Sequence, residues 1–308
     1  MIQETLIKVT KTEQRKKISY EGGVIRHFAK TPSNIICPHF WELNWAYGCR
    51  FECAYCYLQG TFHGRSRDYW HRPIEQILSV LDKFFKDHTN DPQILNSGEL
   101  TDSLVYPQLM KKISDKFEEQ KKHKLLLLTK SGNVRLLLDK PRKQSIFSFS
   151  MNAPEVAKRW EHKTPSPEKR VEAAKDLSEL GNEVRIRIDP IFPIENWQMH
   201  YGDFVSLLLS KLPTDPDRIT LGTPRGLQMT LKFSKDRSWI KFFTDNPDKT
   251  GWGRKIPIPQ RKEIYLFLYD KLSECGFDKS KIAICKETIG MWSELGLDYR
   301  NCKCNCIW

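Results

Sequence analysis

Cys49, Cys53 and Cys56 constrain this chain more than any other feature. Their C-x3-C-x2-C spacing lets one loop wrap three thiolates around a metal or an iron–sulfur cluster. Four thiolates close a tetrahedral zinc site or saturate a cluster. Three leave one iron of a [4Fe-4S] cluster open to a substrate or cofactor. A structural zinc loop, completed by a distant His or Cys, is the competing reading of the same residues.

The pattern around that array alternates. Residues 43–47 are apolar and bounded by Gly48, which suits a first strand. Residues 73–85 repeat apolar side chains every three to four positions behind a proline, an amphipathic helix. Further strands are expected at 93–96, 124–130, 145–151, 183–188, 218–221 and 281–285. Helices are expected at 106–120, 134–138, 166–180, 204–212 and 260–275. The helix from 166 carries the fullest signal: Ser166 as cap, Pro167 at the first position, Glu168 in the first turn and Gly181 as stop. Six β-then-α units in a row imply parallel strands joined by right-handed crossovers. The expected fold is α/β, a partial (β/α)6 TIM-type barrel over residues 44–290. It has an N-terminal extension at 1–43, an insertion at 224–260 that breaks the rhythm, and a Cys-rich C-terminal tail at 291–308. Loops at the strand C-terminal ends of such a barrel share one site, and the cysteine loop follows the first strand.

Strand side chains alternate in direction. Ser148, Ser150 and Asn152 therefore share one face, as do Arg185, Arg187 and Asp189, and as do Cys285 and Glu287. Apolar faces should meet the helices, so these polar faces should line the barrel interior as a polar binding cavity. A buried salt-bridge network is the bland alternative.

With 308 residues and 39% hydrophobic content the chain can build a sizeable core. No apolar run approaches the ~18 residues that span a membrane, and residues 1–5 show no apolar signal core. Nine cysteines without such a signal fit a reducing cytoplasm and metal ligation rather than disulfides. Cys37 reads as a buried thiol, not a ligand. The net charge of +12 favours a polyanionic partner, either nucleic acid or a phosphorylated substrate. Residues 224–261 interleave bases and aromatics that suit such a partner: Arg225, Lys232, Phe233, Lys235, Arg237, Trp239, Lys241, Phe242, Phe243, Trp252, Arg254 and Lys255. Packing of those aromatics on the barrel is the alternative.

The cysteine array, with Tyr55 just before its last member, resembles the radical S-adenosylmethionine (SAM) superfamily. The stretches 47–58, 98–103, 128–131 and 187–190 resemble its spore photoproduct lyase branch, also called DNA repair photolyase-like. The resemblance implies that the open iron chelates SAM and that an electron from the cluster cleaves SAM to a 5′-deoxyadenosyl radical. It implies a cofactor set of one [4Fe-4S] cluster on Cys49, Cys53 and Cys56 plus SAM, with Tyr55 beside them. It implies that Ser97-Gly98-Glu99, a variant of a Gly-Gly-Glu-like segment, meets the amino group of SAM, and that Lys130 meets its carboxylate. Ser148, Ser150, Arg187 and Asp189 are expected to line the cofactor cavity. The implied partners are a nucleic acid or nucleotide-like substrate and an electron donor such as flavodoxin or ferredoxin, with no membrane involved.

The branch's lyases return hydrogen to the product through a cysteine working with a tyrosine. The tyrosine after the cluster persists as Tyr57. The cysteine position, in the stretch 98–102, holds none. The tail instead packs Cys302, Cys304 and Cys306 into five residues. Cys304 or Cys306, folded over the barrel mouth, is the expected hydrogen donor. A second metal site on Cys302, Cys304 and Cys306, joined by Cys275 or Cys285, is the alternative, and a plain flexible tail the third. Two rival functions stand beside the lyase-like one: a radical SAM catalyst for a peptide or small metabolite, and a metal-stabilised nucleic-acid-binding protein without turnover.

Overall fold

A computed structural model of the chain describes residues 19–243, 248–250 and 252–308. Residues 1–18 of the expected extension, and 244–247 and 251 of the expected insertion, lie outside the described residues. The core is a nine-stranded sheet whose spatial order follows the chain. Its strands are β1 Ser19–Tyr20, β2 Ile25–Phe28, β3 Phe40–Leu43, β4 Ile94–Asn96, β5 Lys124–Thr129, β6 Ser145–Met151, β7 Glu183–Ile188, β8 Arg218–Leu221 and β9 Ile282–Ile284. From β3 to β9 every neighbouring pair is parallel. β1 and β2 extend the sheet antiparallel from β3.

The connecting helices follow the sequence pattern closely. α1 Ile74–Asp87 buries Ile77, Val80, Leu81 and Phe84, the seam that its spacing marks. α2 is Pro107–Gln120. α3 is Pro167–Glu179, where the Ser166 hydroxyl accepts from the Lys169 N–H and Gly181 takes φ +80° beyond the end. α4 is Trp197–Lys211 and α5 Ile258–Glu274. α4 starts well before the expected residue 204, because Trp197 and Tyr201 are buried among polar neighbours that hide the period.

Two expectations change. The first parallel strand is Phe40–Leu43, not 43–47. All four of its residues are buried, and the chain leaves the sheet at Asn44. Ala46–Tyr47 instead pairs antiparallel with Trp70–His71. Gly48 then turns at φ +76°, where a Cβ would stand 2.9 Å from the Asp68 carbonyl oxygen. The second change is in 224–260. Trp239 and Phe243 are buried, Lys255 pairs with Glu287 at 2.7 Å, and Arg225 pairs with Asp189. Much of that segment is therefore packing and internal charge pairing; Lys232, Lys235, Arg237, Lys241 and Arg254 are exposed.

The strand register places Glu42, Asn96 and Leu126 in one row on one face of the sheet. Leu128, Ser148, Arg185 and Arg218 form a second row on that face, and Ser150, Arg187 and Thr220 a third. The C-terminal tail lies on this polar face, against the second and third rows of β6 to β8. Asn305 donates through Nδ2 to Ser148 Oγ and to the Ile186 carbonyl, both at 2.9 Å, and accepts from the Thr220 hydroxyl at 2.8 Å. Arg185 donates to the carbonyls of Asn305 and Ile307, and Arg218 to those of Cys304, Ile307 and Trp308. The tail thus fills the lower end of the polar face, not the mouth. It is held by carbonyl-to-arginine bonds, while the Trp308 ring stays 53% exposed beside Lys124.

Candidate active site

The loops that leave the C-terminal ends of the parallel strands enclose a cavity of about 440 Å³. The cysteine loop forms one wall. Three other segments fix it: the Gly48 N–H donates to the Leu100 carbonyl, the Cys49 N–H to Ser66 and the Ala54 N–H to Trp160. The Gln59 amide braces the loop from inside, bonding the carbonyls of Cys53 and Ala54 at 2.8 Å. Cys49, Cys53 and Cys56 all border the cavity. Burial pushes their three thiols up, so they become thiolates only against a strong positive charge such as iron.

The loop after β4 forms a second wall. The Gly98 N–H donates to Asn96 Oδ1, and a Cβ at Gly98 would stand 2.6 Å from Leu128 Cβ. Only glycine lets this backbone lie so close to β5. Glu99 presents its carboxylate to the cavity, with Oε1 accepting from Asn96 Nδ2 at 2.8 Å, and the Tyr57 hydroxyl donates to the Glu99 carbonyl. Ser97, in contrast, turns inward, bonding Ser103 and the Leu126 carbonyl, so it braces the loop from behind. Asp102 joins two loops: it accepts from the Lys130 N–H at 2.6 Å, the Thr129 hydroxyl at 2.7 Å and the Leu104 N–H at 2.9 Å.

Tyr55, Lys130 and Ser150 form a third wall, backed by Glu161, which no sequence motif marks. Glu161 is buried and accepts from the Tyr55 hydroxyl, from Lys130 Nζ at 3.1 Å and from Arg170. Lys130 also donates to Ser150 Oγ at 3.1 Å and sits over the Tyr55 ring. Desolvation alone would push the Glu161 carboxyl up, but the Lys130 and Arg170 charges outweigh it and hold the group at about 2. Its folded pKa is thus below the ordinary 4.5, and the stability it contributes is present above pH ~4.5 and lost as pH falls toward ~2. Wild-type protein should lose on the order of 3 kcal/mol across that window through this group. Glu161→Gln should remove that share of the acid transition and strand two cations at neutral pH. Melting curves against pH for both proteins check this; equal acid sensitivity would refute it.

Arg187, Asp189 and Cys285 also border the cavity. Arg225 clamps Asp189 through one nitrogen to both carboxylate oxygens, at 2.8 and 2.7 Å. Arg187 Nη2 lies 3.3 Å from Cys306 Sγ and 3.8 Å from Cys285 Sγ. Behind it a second cavity of about 20 Å³ is bordered by Cys37, Cys285, Cys302, Cys304 and Cys306. Cys285 therefore borders both cavities, whereas Cys304 and Cys306 border only the small one. Among the described residues, no three His, Cys, Asp or Glu side chains converge to hold a single metal ion. A four-iron cluster needs no such convergence, because each thiolate holds a different iron.

Of the expected site residues, the structure brings Cys49, Cys53, Cys56, Tyr55, Tyr57, Gly98, Glu99, Lys130, Ser150, Arg187 and Asp189 to the main cavity. Ser97 stands behind it, and Ser148 faces the tail. Asp102, Glu161 and Arg170 were missed, while Cys285 was read only as part of a polar strand face or a tail metal site and Arg225 only as a nucleic-acid base contact. Cys285 had a signal, since it ends the last strand on the polar face. The others act through loops whose approach no local pattern records.

The donor set suits a [4Fe-4S] cluster with SAM: three thiols on one rigid loop, a glycine cradle beside an acid, and a lysine across from it. Among solved structures, spore photoproduct lyase complexed with dinucleoside spore photoproduct superposes with a TM-score of 0.64 at 20% identity, covering 79% of this chain and 75% of that one. Streptococcus suis SuiB bound to S-adenosylmethionine superposes at 0.53 with 14% identity, covering 80% and 50%. These likenesses concern the mixed α/β fold with its mostly parallel sheet. By sequence, the spore photoproduct lyase of Bacillus subtilis is 30% identical over 179 residues, 57% of this chain and 52% of that protein. The Clostridium acetobutylicum enzyme is 27% identical over 171 residues, 54% and 50%. The chain spans about half the length of these curated relatives. The family model for spore photoproduct lyase matches residues 25–222, well over half of the chain, and the chain belongs to that family, the branch that stretches 47–58, 98–103, 128–131 and 187–190 resemble.

Proposed function

We propose that this chain is a radical SAM enzyme acting on a nucleotide-like substrate, in repair or modification of a thymine-dimer lesion of the spore photoproduct kind. The observation that carries the reading is the meeting of Cys49, Cys53 and Cys56 with Gly98-Glu99, Lys130, Arg187 and Asp189 on one cavity. When bound there, the cluster and SAM supply a 5′-deoxyadenosyl radical. The chain's own residues do the rest. Glu99 takes an ammonium through its carboxylate. Lys130, held by Glu161 and Ser150, presents its cation to a carboxylate. Asp102 keeps the Gly98 and Lys130 loops in register. Arg187 offers a guanidinium to the anionic part of the substrate. The parallel sheet, from Phe40 onward, is read as a partial (β/α)6 barrel with the tail packed on its polar face. A flavodoxin or ferredoxin supplies the electron, and the exposed bases of 224–260 meet nucleic acid. No helix among the described residues is long and apolar enough to cross a membrane, and the working compartment is read as cytoplasmic.

The test is anaerobic reconstitution with iron and sulfide, reduction, and addition of SAM with dinucleoside spore photoproduct. Formation of 5′-deoxyadenosine, methionine and the repaired thymine dinucleoside is expected. A reduced, cluster-loaded protein that binds SAM and yields no 5′-deoxyadenosine would sink the reading.

A further inference from the structure

The lyase-like reaction proposed above ends on a carbon radical that must gain a hydrogen atom to become product, and the donor has to reach the cavity. The stretch 98–102 carries no cysteine. The tail thiols Cys304 and Cys306, otherwise the obvious substitutes, open only onto the small cavity. Four cysteines border the main cavity, and three of these are the cluster thiols. The fourth is Cys285.

Three features make Cys285 more than a stray core thiol. First, it directly follows β9 and borders the main cavity together with Arg187, Asp189 and Arg225. Second, the environment suits S–H rather than thiolate: burial outweighs the nearby Arg187 and Arg225 and pushes the thiol up. Third, Arg187 links it to the tail. Its Nη2 contacts both the Cys285 and Cys306 sulfurs, and its Nε has no hydrogen-bond partner among the described residues. The half-buried guanidinium keeps its proton and feels the Asp189 carboxylate, so its positive charge stays available to the two sulfurs it faces.

We propose that Cys285 is the hydrogen-atom donor to the product radical, with Arg187 stabilising the thiolate through which the sulfur is reset. The proposal rests on the radical SAM reading above. In the first step the Cys285 S–H bond breaks homolytically and a C–H bond forms on the substrate, leaving a thiyl radical. In the second, the thiyl takes one electron from the low-potential donor protein and becomes thiolate beside Arg187. In the third, the thiolate takes a proton from solvent and the thiol returns.

Two measurements test this, one without turnover. In oxidised, cluster-loaded protein, alkylation of Cys285 by iodoacetamide is followed by mass spectrometry with and without SAM. With SAM at about ten times its Kd, Cys285 should be protected about tenfold, as expected for ligand-linked shielding. Cys275, which contacts Ser206 away from both cavities, should react at an unchanged rate. Equal Cys285 rates with and without SAM would overturn the placement. The second measurement runs turnover of dinucleoside spore photoproduct in D2O. Wild-type product should carry one solvent deuterium, whereas Cys285→Ala and Cys285→Ser, with iron content unchanged, should lose it. Undiminished deuterium in both variants would overturn the donor role alone. Absence of 5′-deoxyadenosine from the wild type would instead strike the function proposed above.

Discussion

Replacing any one of Cys49, Cys53 and Cys56 by alanine should abolish the iron–sulfur cluster and reduce SAM cleavage to background, while leaving the fold intact. The two halves of this expectation have separate causes. The loop does not depend on its thiols for shape. Backbone bonds to Leu100, Ser66 and Trp160 hold it, and Gln59 braces it from within. Each thiolate, however, would hold a different iron, so losing one leaves two corners open instead of one. Among the described residues, the one other thiol bordering the cavity is Cys285, which follows β9 and lies outside the cluster loop. Far-UV circular dichroism should match the wild type, and iron and sulfide analysis after anaerobic reconstitution should not. Wild-type iron and sulfide in the triple alanine variant would refute the assignment.

The cysteine array could be read from sequence because everything that makes it a site is local: spacing, one loop, one adjacent glycine. The strand faces were legible for a similar reason. A period of two places Ser148 with Ser150 and Arg185 with Arg187 on one side of the sheet, and the register confirms both pairs. Alternation does not say what covers a face. Ser150 meets Lys130 at the cavity, while Ser148, one pleat lower, meets Asn305 from the far end of the chain. The same limit applies at Glu161. It follows a short helix with nothing to mark it, yet Tyr55, Lys130 and Arg170 converge on it from three separate elements. In residues 224–260 a mixture of bases and aromatics fits nucleic acid and core packing equally well. Only the fold shows that Trp239 goes inward and Lys232 outward.

Removing residues 301–308 should destabilise the protein, by roughly 2–5 kcal/mol, with a Tm lower by on the order of 10 °C. A tail lying over the barrel mouth would predict no such loss. The tail instead satisfies groups in the middle of the sheet. Ser148 and Thr220 are fully buried and Arg185 is 2% exposed. Deletion takes from them the Asn305 side chain and the carbonyls of Asn305 and Ile307. Arg185 keeps its ion pair with Glu183, but Arg218 loses the carbonyls of Cys304, Ile307 and Trp308 together. Water entering the vacated space offsets part of the cost, which keeps the estimate at the low end of a full set of stranded polar groups. Asn305→Ala isolates the central contact: it removes three side-chain bonds and keeps the backbone carbonyls, so it should account for a large fraction of the loss without disturbing Cys304 or Cys306. Thermal and urea melts of the full chain, the truncated chain and Asn305→Ala measure this directly. A truncated chain that melts within a degree or two of the full-length protein would show that the tail is an appendage rather than part of the sheet's polar core.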